Sequence, residues 1–418
     1  MASLREMVKR SAPTFLRNAV IDARARMAAP PLEDSVMHDY EISPSKSEIA
    51  RLTLVIPSLA PDKIFGGIST GVEMFLQIAK RFGAQARILL DSHDKEIDRA
   101  FVIKCAEKAG FTNGEVEITP RSGWTPRVDV GRNDLFMAYN WWTALNLRGL
   151  LVKQSQSFQI AKKPLLYIVQ EYEPSFYPMS STHLMARSAF ETGDETWGIF
   201  NSRELHEYFK VQGHRFGREY AFEPRIPGGL RAYLDKGPVN KEKRILIYGR
   251  PNVPRNCFSA IVQGLTLWTR TETRFKDWTI VSAGGAHNPI SLDDGRKIIA
   301  MGKLSIEDYA RALRISAVGI SLMSSAHPSY PPLEMAHFGI KTLTNGYLCK
   351  NLSEAHDNIV SLNAIDPRTL ADALTKVCES FENAPDSGWK AASHMPSYVA
   401  TSDYVYLDAI AEDLREFL

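Results

Sequence analysis

The strongest constraint in this sequence is the alternation of strand-like and helix-like apolar runs from residue 50 onward. Short runs rich in β-branched and other apolar residues predict buried strands, whereas longer apolar stretches between them predict helices. In the first half of the chain we predict strands over 52–56, 86–90, 135–138, 164–169 and 196–200, and helices over 72–81 and 140–151. Alternation of this kind predicts an α/β fold with a mostly parallel sheet.

A second series of the same kind begins after residues 236–243, where charged and turn residues replace apolar ones. Its predicted strands are 244–248, 278–282, 297–300, 317–322 and 341–344, and its predicted helices are 259–269, 305–315 and 332–338. A chain of 418 residues also exceeds one ordinary core. We therefore expect a basic helical segment and linker at 1–47, Rossmann-like domains at 48–235 and 236–400, and an amphipathic terminal helix at 401–418.

Charge and cysteine usage exclude several classes of protein. The formal net charge of +2 gives no general case for nucleic-acid binding. The 4 cysteines are far apart, without a C-x-x-C pair, which argues against zinc sites and disulfides. The sequence contains no run of about 18 apolar residues, which a membrane-spanning helix would need. We expect a cytoplasmic protein with no metal and no cofactor.

The segment 4–26 alternates apolar and basic residues at near-helical spacing, with Pro13 interrupting it. Three interpretations stay open. The segment is a helix packed on a second subunit of a homodimer, an interfacial helix attracted to anionic lipid at the inner face of the membrane, or a loosely ordered tail.

Loops that follow the strands of a parallel sheet are the places to look for a ligand site. Gly66 and Gly67 lie in a glycine-rich loop before a helix, so their N–H groups could face a phosphate, although a plain tight turn is the alternative. Arg250 directly follows the strand 244–248, where its planar fork suits a diphosphate, although a surface arginine is common. Lys303 precedes a helix opened by a Ser305–Asp308 capping pair and would be a second cation.

Glu334 stands near the start of an apolar helix that opens with two prolines. Pro332 fits the first helical turn, where its missing N–H is no loss. A carboxylate in that turn complements the positive end of the helix, which explains Glu334 without any ligand. A binding role for Glu334 is the competing interpretation.

The motif Gln-Glu-Tyr-Glu-Pro at residues 170–174 ends the predicted strand 164–169 and should face the edge of the sheet. Glu171 and Glu173 with Tyr172 are suited to sugar hydroxyls and ring faces, so we predict recognition of the sugar or the acceptor; a solvated loop is the alternative. His93, after the strand 86–90, could meet the acceptor hydroxyl or be an ordinary surface histidine.

Taken together, the glycine loop, Gly249-Arg250, Gly302-Lys303 and the Pro-Pro-Leu-Glu-Met-Ala run at 331–336 resemble the GT-B glycosyltransferases. More narrowly they resemble the retaining branch with the motif E-x(7)-E. This resemblance implies that Arg250 and Lys303 hold the donor diphosphate and that Glu334, the second motif glutamate, binds the ribose hydroxyls. It also implies catalytic assistance from Arg250, Lys303 and Glu334. Further donor contacts are implied from Gly66, Gly67, Gly249, Tyr330 and Pro331. In this family the first domain binds the acceptor, and a terminal helix crosses back to that domain.

One position departs from the motif. Ala326 stands where the first glutamate is expected, and that glutamate usually contacts the transferred sugar. The variant sequence at 329–339, the 170–177 motif and the basic leading segment resemble the WsaF-type rhamnosyltransferases of bacterial surface-polysaccharide assembly. The resemblance implies transfer of L-rhamnose from dTDP-β-L-rhamnose, with retention, to a glycan or lipid-linked glycan. The missing carboxylate at Ala326 agrees with a deoxy sugar.

Three alternatives remain open at this point. A GT-B nucleotide-sugar epimerase would share the diphosphate contacts, but it needs acid and base side chains around the sugar that the sequence does not identify. A silent nucleotide-sugar-binding subunit is suggested by Ala326. A dinucleotide oxidoreductase is disfavoured because the G-x-G-x-x-G fingerprint is missing.

Overall fold

The computed structural model describes residues 36–417, apart from 65, 95, 113, 124, 192 and 401–404. The predicted basic segment 4–26 lies outside the described residues. Within the predicted linker, a short strand forms instead of irregular chain. This strand, β1 (Glu41–Pro44), pairs in parallel with β5 (Arg127–Val130), and Tyr40 is buried in the core of the first domain.

The first domain contains a seven-stranded parallel sheet in the order β4-β3-β2-β6-β7-β8-β9. Its strands are β2 (Arg51–Ile56), β3 (Gln85–Leu90), β4 (Val116–Thr119), β6 (Asp134–Ala138), β7 (Leu165–Val169), β8 (Gly193–Phe200) and β9 (Phe216–Ala221). The central strands are buried on both faces, which explains their continuous apolar sequences. The helices of this domain are α1 (Gly66–Phe82), α2 (Arg99–Lys108), α3 (Trp141–Phe158), α4 (Ser181–Ser188) and α5 (Arg203–Val211).

The second domain contains a seven-stranded sheet in the order β12-β13-β11-β10-β14-β15-β16, parallel except for the β12–β13 pair. Its strands are β10 (Glu242–Gly249), β11 (Thr279–Gly284), β12 (Ile290–Ser291), β13 (Lys297–Gly302), β14 (Ser316–Ile320), β15 (Lys341–Asn345) and β16 (Ile359–Leu362). Its helices are α6 (Gly228–Leu234), α7 (Phe258–Thr271), α8 (Ile306–Ile315), α9 (Tyr330–His337), α10 (Pro367–Asn383) and α11 (Ser387–Lys390).

Each sheet buries an apolar cluster on both of its faces, so each domain has its own core. Two helices belong to a different domain core than the neighbouring parts of the chain. Helix α6 precedes residue 236, yet Ile226 and Leu230 pack in the second domain, against α8. The last helix, α12 (Val405–Leu414), returns to the first domain, where Leu407, Ile410 and Leu414 pack in the cluster that contains α1.

Two helices begin earlier in the chain than the sequence pattern predicts, and both lie beside the cleft. Helix α1 begins at Gly66 rather than residue 72, because the glycine-rich run is already helical. Helix α9 begins at Tyr330, so both of its prolines lie in the first turn, where no intrahelical N–H bond is lost. Glu334 is therefore in the second turn, beyond the immediate reach of the positive helix end.

Candidate functional site

A cavity of about 1190 Å³ lies between the two domains. Loops at the carboxyl ends of both parallel sheets contribute to its walls, as expected for α/β sheets. The first domain contributes Gly66, Gly67, Tyr139, Gln170, Glu171 and Glu173, and the second contributes Tyr248, Arg250, Arg255, His327, Tyr330, Pro331 and Glu334, among others. This volume exceeds that of an ordinary small-ligand pocket and leaves room for two substrates.

The predicted diphosphate residues do not all line this cavity. Arg250 follows β10 directly and does line it. Gly249 is buried and has a packing reason to be glycine, because a Cβ there would lie 2.2 Å from Ser282 Oγ and 2.7 Å from a Phe258 ring carbon. Lys303 follows β13 at the same sheet edge but is exposed and lies outside the cavity wall. The structure therefore brings Arg250 to the cavity and leaves Lys303 outside the cavity wall.

Glu334 lies on α9 with only 6% of its surface exposed and borders the cavity. Its Oε2 accepts a hydrogen bond of 2.8 Å from the Tyr309 hydroxyl on α8. Among the described residues, no group donates to its other carboxylate oxygen. Burial raises the pKa of Glu334 to about 7, and the Tyr309 hydrogen bond opposes that rise. The other oxygen can accept a hydrogen bond from a ligand hydroxyl.

The loop before α9 is held in an uncommon conformation. Ser329 has φ 65° and ψ 147°, a region that residues other than glycine rarely adopt. Its N–H donates to His327 Nδ1 at 3.0 Å, which places the proton of a neutral imidazole on Nε2. Burial, with Lys350 and Arg255 nearby, lowers the pKa of His327 to about 3, so the ring is neutral. Tyr330 and Pro331 follow directly on the cavity wall.

The opposite wall contains the predicted glycines. Gly66 has open space around its Cα, whereas a Cβ on Gly67 would lie 2.9 Å from the Tyr139 hydroxyl and 3.0 Å from Gln170 Oε1. Gln170 Nε2 also donates to the Gly67 carbonyl at 3.0 Å. Gly67 therefore allows Tyr139 and Gln170 to pack closely against the start of α1.

The three residues of the 171–173 motif have different environments. Glu171 borders the cavity, 7% exposed. Glu173 also borders it, but its two oxygens accept from the Trp141 N–H at 2.9 Å and the Tyr167 hydroxyl at 2.7 Å. Burial raises the pKa of Glu173 to about 7. The Tyr172 ring is buried among Phe190, Tyr208 and Phe209 and does not line the cavity. Glu173 thus ties α3 to β7.

His93 is exposed after β3 and does not line the cavity. Of the predicted recognition residues, the structure thus brings Glu171 and Glu173 to the cleft and leaves Tyr172 and His93 outside it.

The domains touch through the loop between β14 and α9. Ser325 Oγ donates to a carboxylate oxygen of Glu171 across the cleft. Ala326, 2% exposed, packs in the apolar cluster of the first domain rather than in the cavity wall. The Arg255 guanidinium lies 4.5 Å from the centre of the Phe176 ring, a cation–π contact between domains.

Sequence comparison with known protein families identifies the chain. The model of the WsaF N-terminal domain matches residues 51–203, and that of the WsaF C-terminal domain matches residues 243–375. Together they cover more than half of the chain. The chain belongs to the WsaF family of GT-B glycosyltransferases.

One curated protein and several solved structures are similar to this WsaF-family protein. It is 33% identical over 183 residues to the O-antigen biosynthesis protein RfbC of Myxococcus xanthus; the match covers 43% of this chain and 14% of that much longer protein. Among solved structures, it is similar to an α,α-trehalose 6-phosphate synthase from Burkholderia multivorans, with a TM-score of 0.53, 12% identity and coverage of 88% and 97% of the two chains. It is also similar to WaaG, a glycosyltransferase involved in lipopolysaccharide biosynthesis, with a TM-score of 0.50, 14% identity and coverage of 87% and 99%. These structures share the GT-B fold, which confirms the predicted fold class.

Several residues at the WsaF-family cleft were not singled out by the sequence argument. Arg255 lies in the same loop as Arg250, so its position after β10 was the available signal. Tyr309 is four residues after the cap of α8, one helical turn into the helix. Tyr139 directly follows the predicted strand 135–138, so its position at a strand end was the available signal. The role of Ser325 depends on a contact with a distant part of the chain, for which the local sequence gives no signal.

Within the described part of the chain, no three His, Cys, Asp or Glu side chains are grouped as a metal site would require. The same residues include no helix with the length and apolar character needed to cross a membrane.

Proposed function

We propose that this glycosyltransferase transfers an L-rhamnosyl group from dTDP-β-L-rhamnose to a hydroxyl of a glycan or lipid-linked glycan, with retention at the anomeric carbon. The observation that carries the proposal is the convergence of Arg250, Glu334 and the α1 glycines on one interdomain cavity of a WsaF-family chain. The choice of rhamnose depends on the resemblance to WsaF-type rhamnosyltransferases. Ala326 adds little to it, since the side chain at that position does not line the cavity.

The proposed chemistry assigns the donor to the second domain. Cleavage of the bond between sugar and diphosphate leaves negative charge on the leaving group, and Arg250 would stabilise that charge. Lys303, exposed after β13 at the same sheet edge, would be a second cation for the diphosphate. The open carboxylate oxygen of Glu334 would accept a hydrogen bond from a ribose hydroxyl. Tyr330 and Pro331, at the start of α9, would contact the donor beside it.

The biological setting is proposed from the relatives. An O-antigen biosynthesis protein shares sequence with this chain, and a lipopolysaccharide glycosyltransferase shares its fold. We propose that the protein acts in bacterial surface-polysaccharide assembly on the cytoplasmic side of the membrane. Peripheral membrane contact or dimer formation through the N-terminal segment remains a prediction about residues outside those described.

Nucleotide binding gives the first test. Thermal shifts with dTDP, UDP and GDP should show the largest stabilisation by dTDP, because a ligand that binds only the folded state raises its stability. Arg250→Ala and Glu334→Ala should lose most of that shift. Arg203→Ala removes an arginine whose side chain is 77% exposed and that lies outside the cavity, and it should retain the shift. Unchanged dTDP affinity in both folded cleft variants would contradict the site assignment.

Transfer itself needs a separate measurement. Radiolabelled dTDP-rhamnose is incubated with a rhamnose-terminated acceptor, and the product's anomeric configuration is determined by NMR. We expect a labelled product with retained configuration. Binding of the donor without transfer across a set of suitable acceptors would instead support a silent nucleotide-sugar-binding subunit.

A further inference from the structure

Glu171 is held in place by a residue of the other domain. It lies two residues beyond β7, and its Oε1 accepts hydrogen bonds from Ser325 Oγ and from the Tyr172 N–H at 3.1 Å. Among the described residues, nothing donates to its Oε2, although the side chain borders the cavity. One oxygen is thus used to fix the carboxylate, and the other remains available to a ligand.

The pKa of Glu171 is raised overall, and its neighbours oppose part of that rise. Burial raises the pKa of Glu171, while the Ser325 hydrogen bond and the positive charges of Arg255 and Lys350 act to lower it. Arg255 and Lys350 belong to the second domain, as Ser325 does. A carboxyl group fixed through one oxygen in this way leaves the other oxygen in place to accept a hydrogen bond from a ligand hydroxyl.

Ala326 is compatible with this arrangement, whereas an acidic residue at position 326 is not. Its methyl group packs in the apolar cluster of the first domain, directly after the residue that holds Glu171. A carboxylate at position 326 would be buried in that cluster and would lie near a second negative charge, which is costly. The chain thus places its carboxylate on the first domain, next to the loop from which the motif glutamate is missing.

We infer that Glu171, positioned by Ser325 across the cleft, supplies the carboxylate that binds a hydroxyl of the transferred sugar. This inference rests on the proposed function, since it takes the ligand to be a nucleotide sugar. A sugar attached to a diphosphate at Arg250 projects from the second domain toward the first, where Glu171 borders the cavity. The sugar site is then complete only when the two domains are in contact.

Affinities for dTDP and dTDP-rhamnose, measured by titration calorimetry, separate sugar contacts from nucleotide contacts. Glu171→Gln retains an oxygen for Ser325 and Tyr172 but replaces the open carboxylate oxygen with an amide donor. We expect its affinity for dTDP-rhamnose to fall about tenfold or more, since hydrogen bonds to charged groups contribute roughly that factor. Its affinity for dTDP should change less than twofold. Glu195→Gln, on β8 and outside the cavity, is the matched control and should change neither.

Ser325 is a positioning residue and has its own readout. Ser325→Ala loses both the bond to Glu171 and the bond of 2.9 Å that Ser325 Oγ accepts from the His327 N–H. We expect a loss of about three- to tenfold in dTDP-rhamnose affinity, with dTDP affinity retained. Ser325→Thr keeps the hydroxyl and should restore part of the loss, which a role in loop folding alone would not require. The double variant with Glu171→Gln should be no weaker than Glu171→Gln alone.

The outcomes distinguish this inference from the proposed function. Equal weakening of dTDP and dTDP-rhamnose in Glu171→Gln, or no weakening of either, would overturn the sugar contact. A raised KM for the acceptor with unchanged donor affinity would also overturn it and assign Glu171 to the acceptor. If the wild-type protein prefers another nucleotide sugar, the rhamnose proposal fails and the same comparison is made with that sugar. If it binds no nucleotide or nucleotide sugar, both proposals fail.

Discussion

Burial of Glu334 affects stability and ligand binding in opposite ways. The pKa of its carboxyl group rises from 4.5 to about 7, so the folded protein holds a proton that the unfolded chain has released between those pH values. A raised carboxyl pKa means that stability is greatest below the unfolded value and falls as pH rises through the folded value. The ionised form, which can accept ribose hydroxyls on its open oxygen, is therefore the form that costs stability.

Glu334→Gln separates these two effects. The glutamine keeps an acceptor for the Tyr309 hydroxyl but cannot ionise, so the variant should gain stability relative to wild type between pH 5 and pH 8. We expect a difference of about 1–3 kcal/mol in the free energy of unfolding, measured by denaturant titration at each pH. Titration of Glu173 contributes to both proteins and largely cancels in the difference.

Nucleotide affinity should show the converse pattern. Wild-type affinity for dTDP should fall as the pH drops below 7. At pH 8 the Glu334→Gln variant should bind dTDP about tenfold more weakly than wild type. Its affinity should not show the fall below pH 7, because glutamine does not titrate. Parallel pH curves for the two proteins would show that this carboxyl neither titrates near 7 nor binds the nucleotide.

The sequence predicted some of these residues because their chemistry follows from chain position. Arg250 and Glu171 each follow a buried strand, and parallel strands bring such positions to one edge of a sheet. The bond between Ser325 and Glu171 joins residues 154 positions apart and depends on how two domains meet. No local pattern contains that information, so the sequence related the missing carboxylate at Ala326 to a deoxy sugar and not to the contact between the domains.

Among the elements, α12 shows most directly how one helix contributes to a distant core. Ile410 is fully buried against the first domain, although it lies after the whole second domain in the chain. Ile410→Ala should destabilise the first domain by about 2–5 kcal/mol, because it removes buried methyl groups and leaves a cavity. Hydrogen exchange in α1 should rise accordingly, since α12 packs on that helix.

The matched control for Ile410→Ala is Glu412→Ala, two residues along the same helix, where the side chain is 71% exposed. Its loss should cost less than about 0.5 kcal/mol, because an exposed ion pair contributes little. Similar exchange in α1 for the two variants would show that α12 does not support the first-domain core.

Elements with strong apolar periodicity were predictable, and those fixed by their neighbours were not. The strands β2 and β14 are short buried apolar runs, so their existence follows from composition alone. The edge strand β9 contains charged residues and forms because β8 offers a pairing edge. The early start of α1 was missed because three glycines disfavour a helix locally, whereas packing against Tyr139 and Gln170 favours the close approach.

The candidate site residues lie on two domains that contact each other at several places. Arg250 and Glu334 belong to the second domain, and Glu171 belongs to the first. Contact between the domains includes Ser325 with Glu171, Ala326 in an apolar cluster, and Arg255 over Phe176. On the proposed function, Arg250 and Glu334 of the second domain would bind the nucleotide, whereas sugar recognition and transfer would also need Glu171 of the first domain.

Ala326→Glu is expected to separate nucleotide binding from transfer. The new carboxylate would have to enter the apolar cluster beside Glu171, at a cost of several kcal/mol, or hold the domains apart. We expect transfer to fall at least a hundredfold, while dTDP affinity stays within about threefold because Arg250 and Glu334 are unchanged. Small-angle scattering should show a larger radius of gyration with donor bound than in the wild-type protein.

Ser324→Glu is the charge-matched control for Ala326→Glu. It adds the same charge two residues away, at an exposed position of the same loop. Its transfer rate and radius of gyration should remain close to those of the wild-type protein. If Ala326→Glu matched Ser324→Glu in both measurements, the domain contact seen around residue 326 would not be part of the catalytic state. Loss of dTDP binding in Ala326→Glu alone would instead mean that the loop before α9 had been disrupted within the second domain.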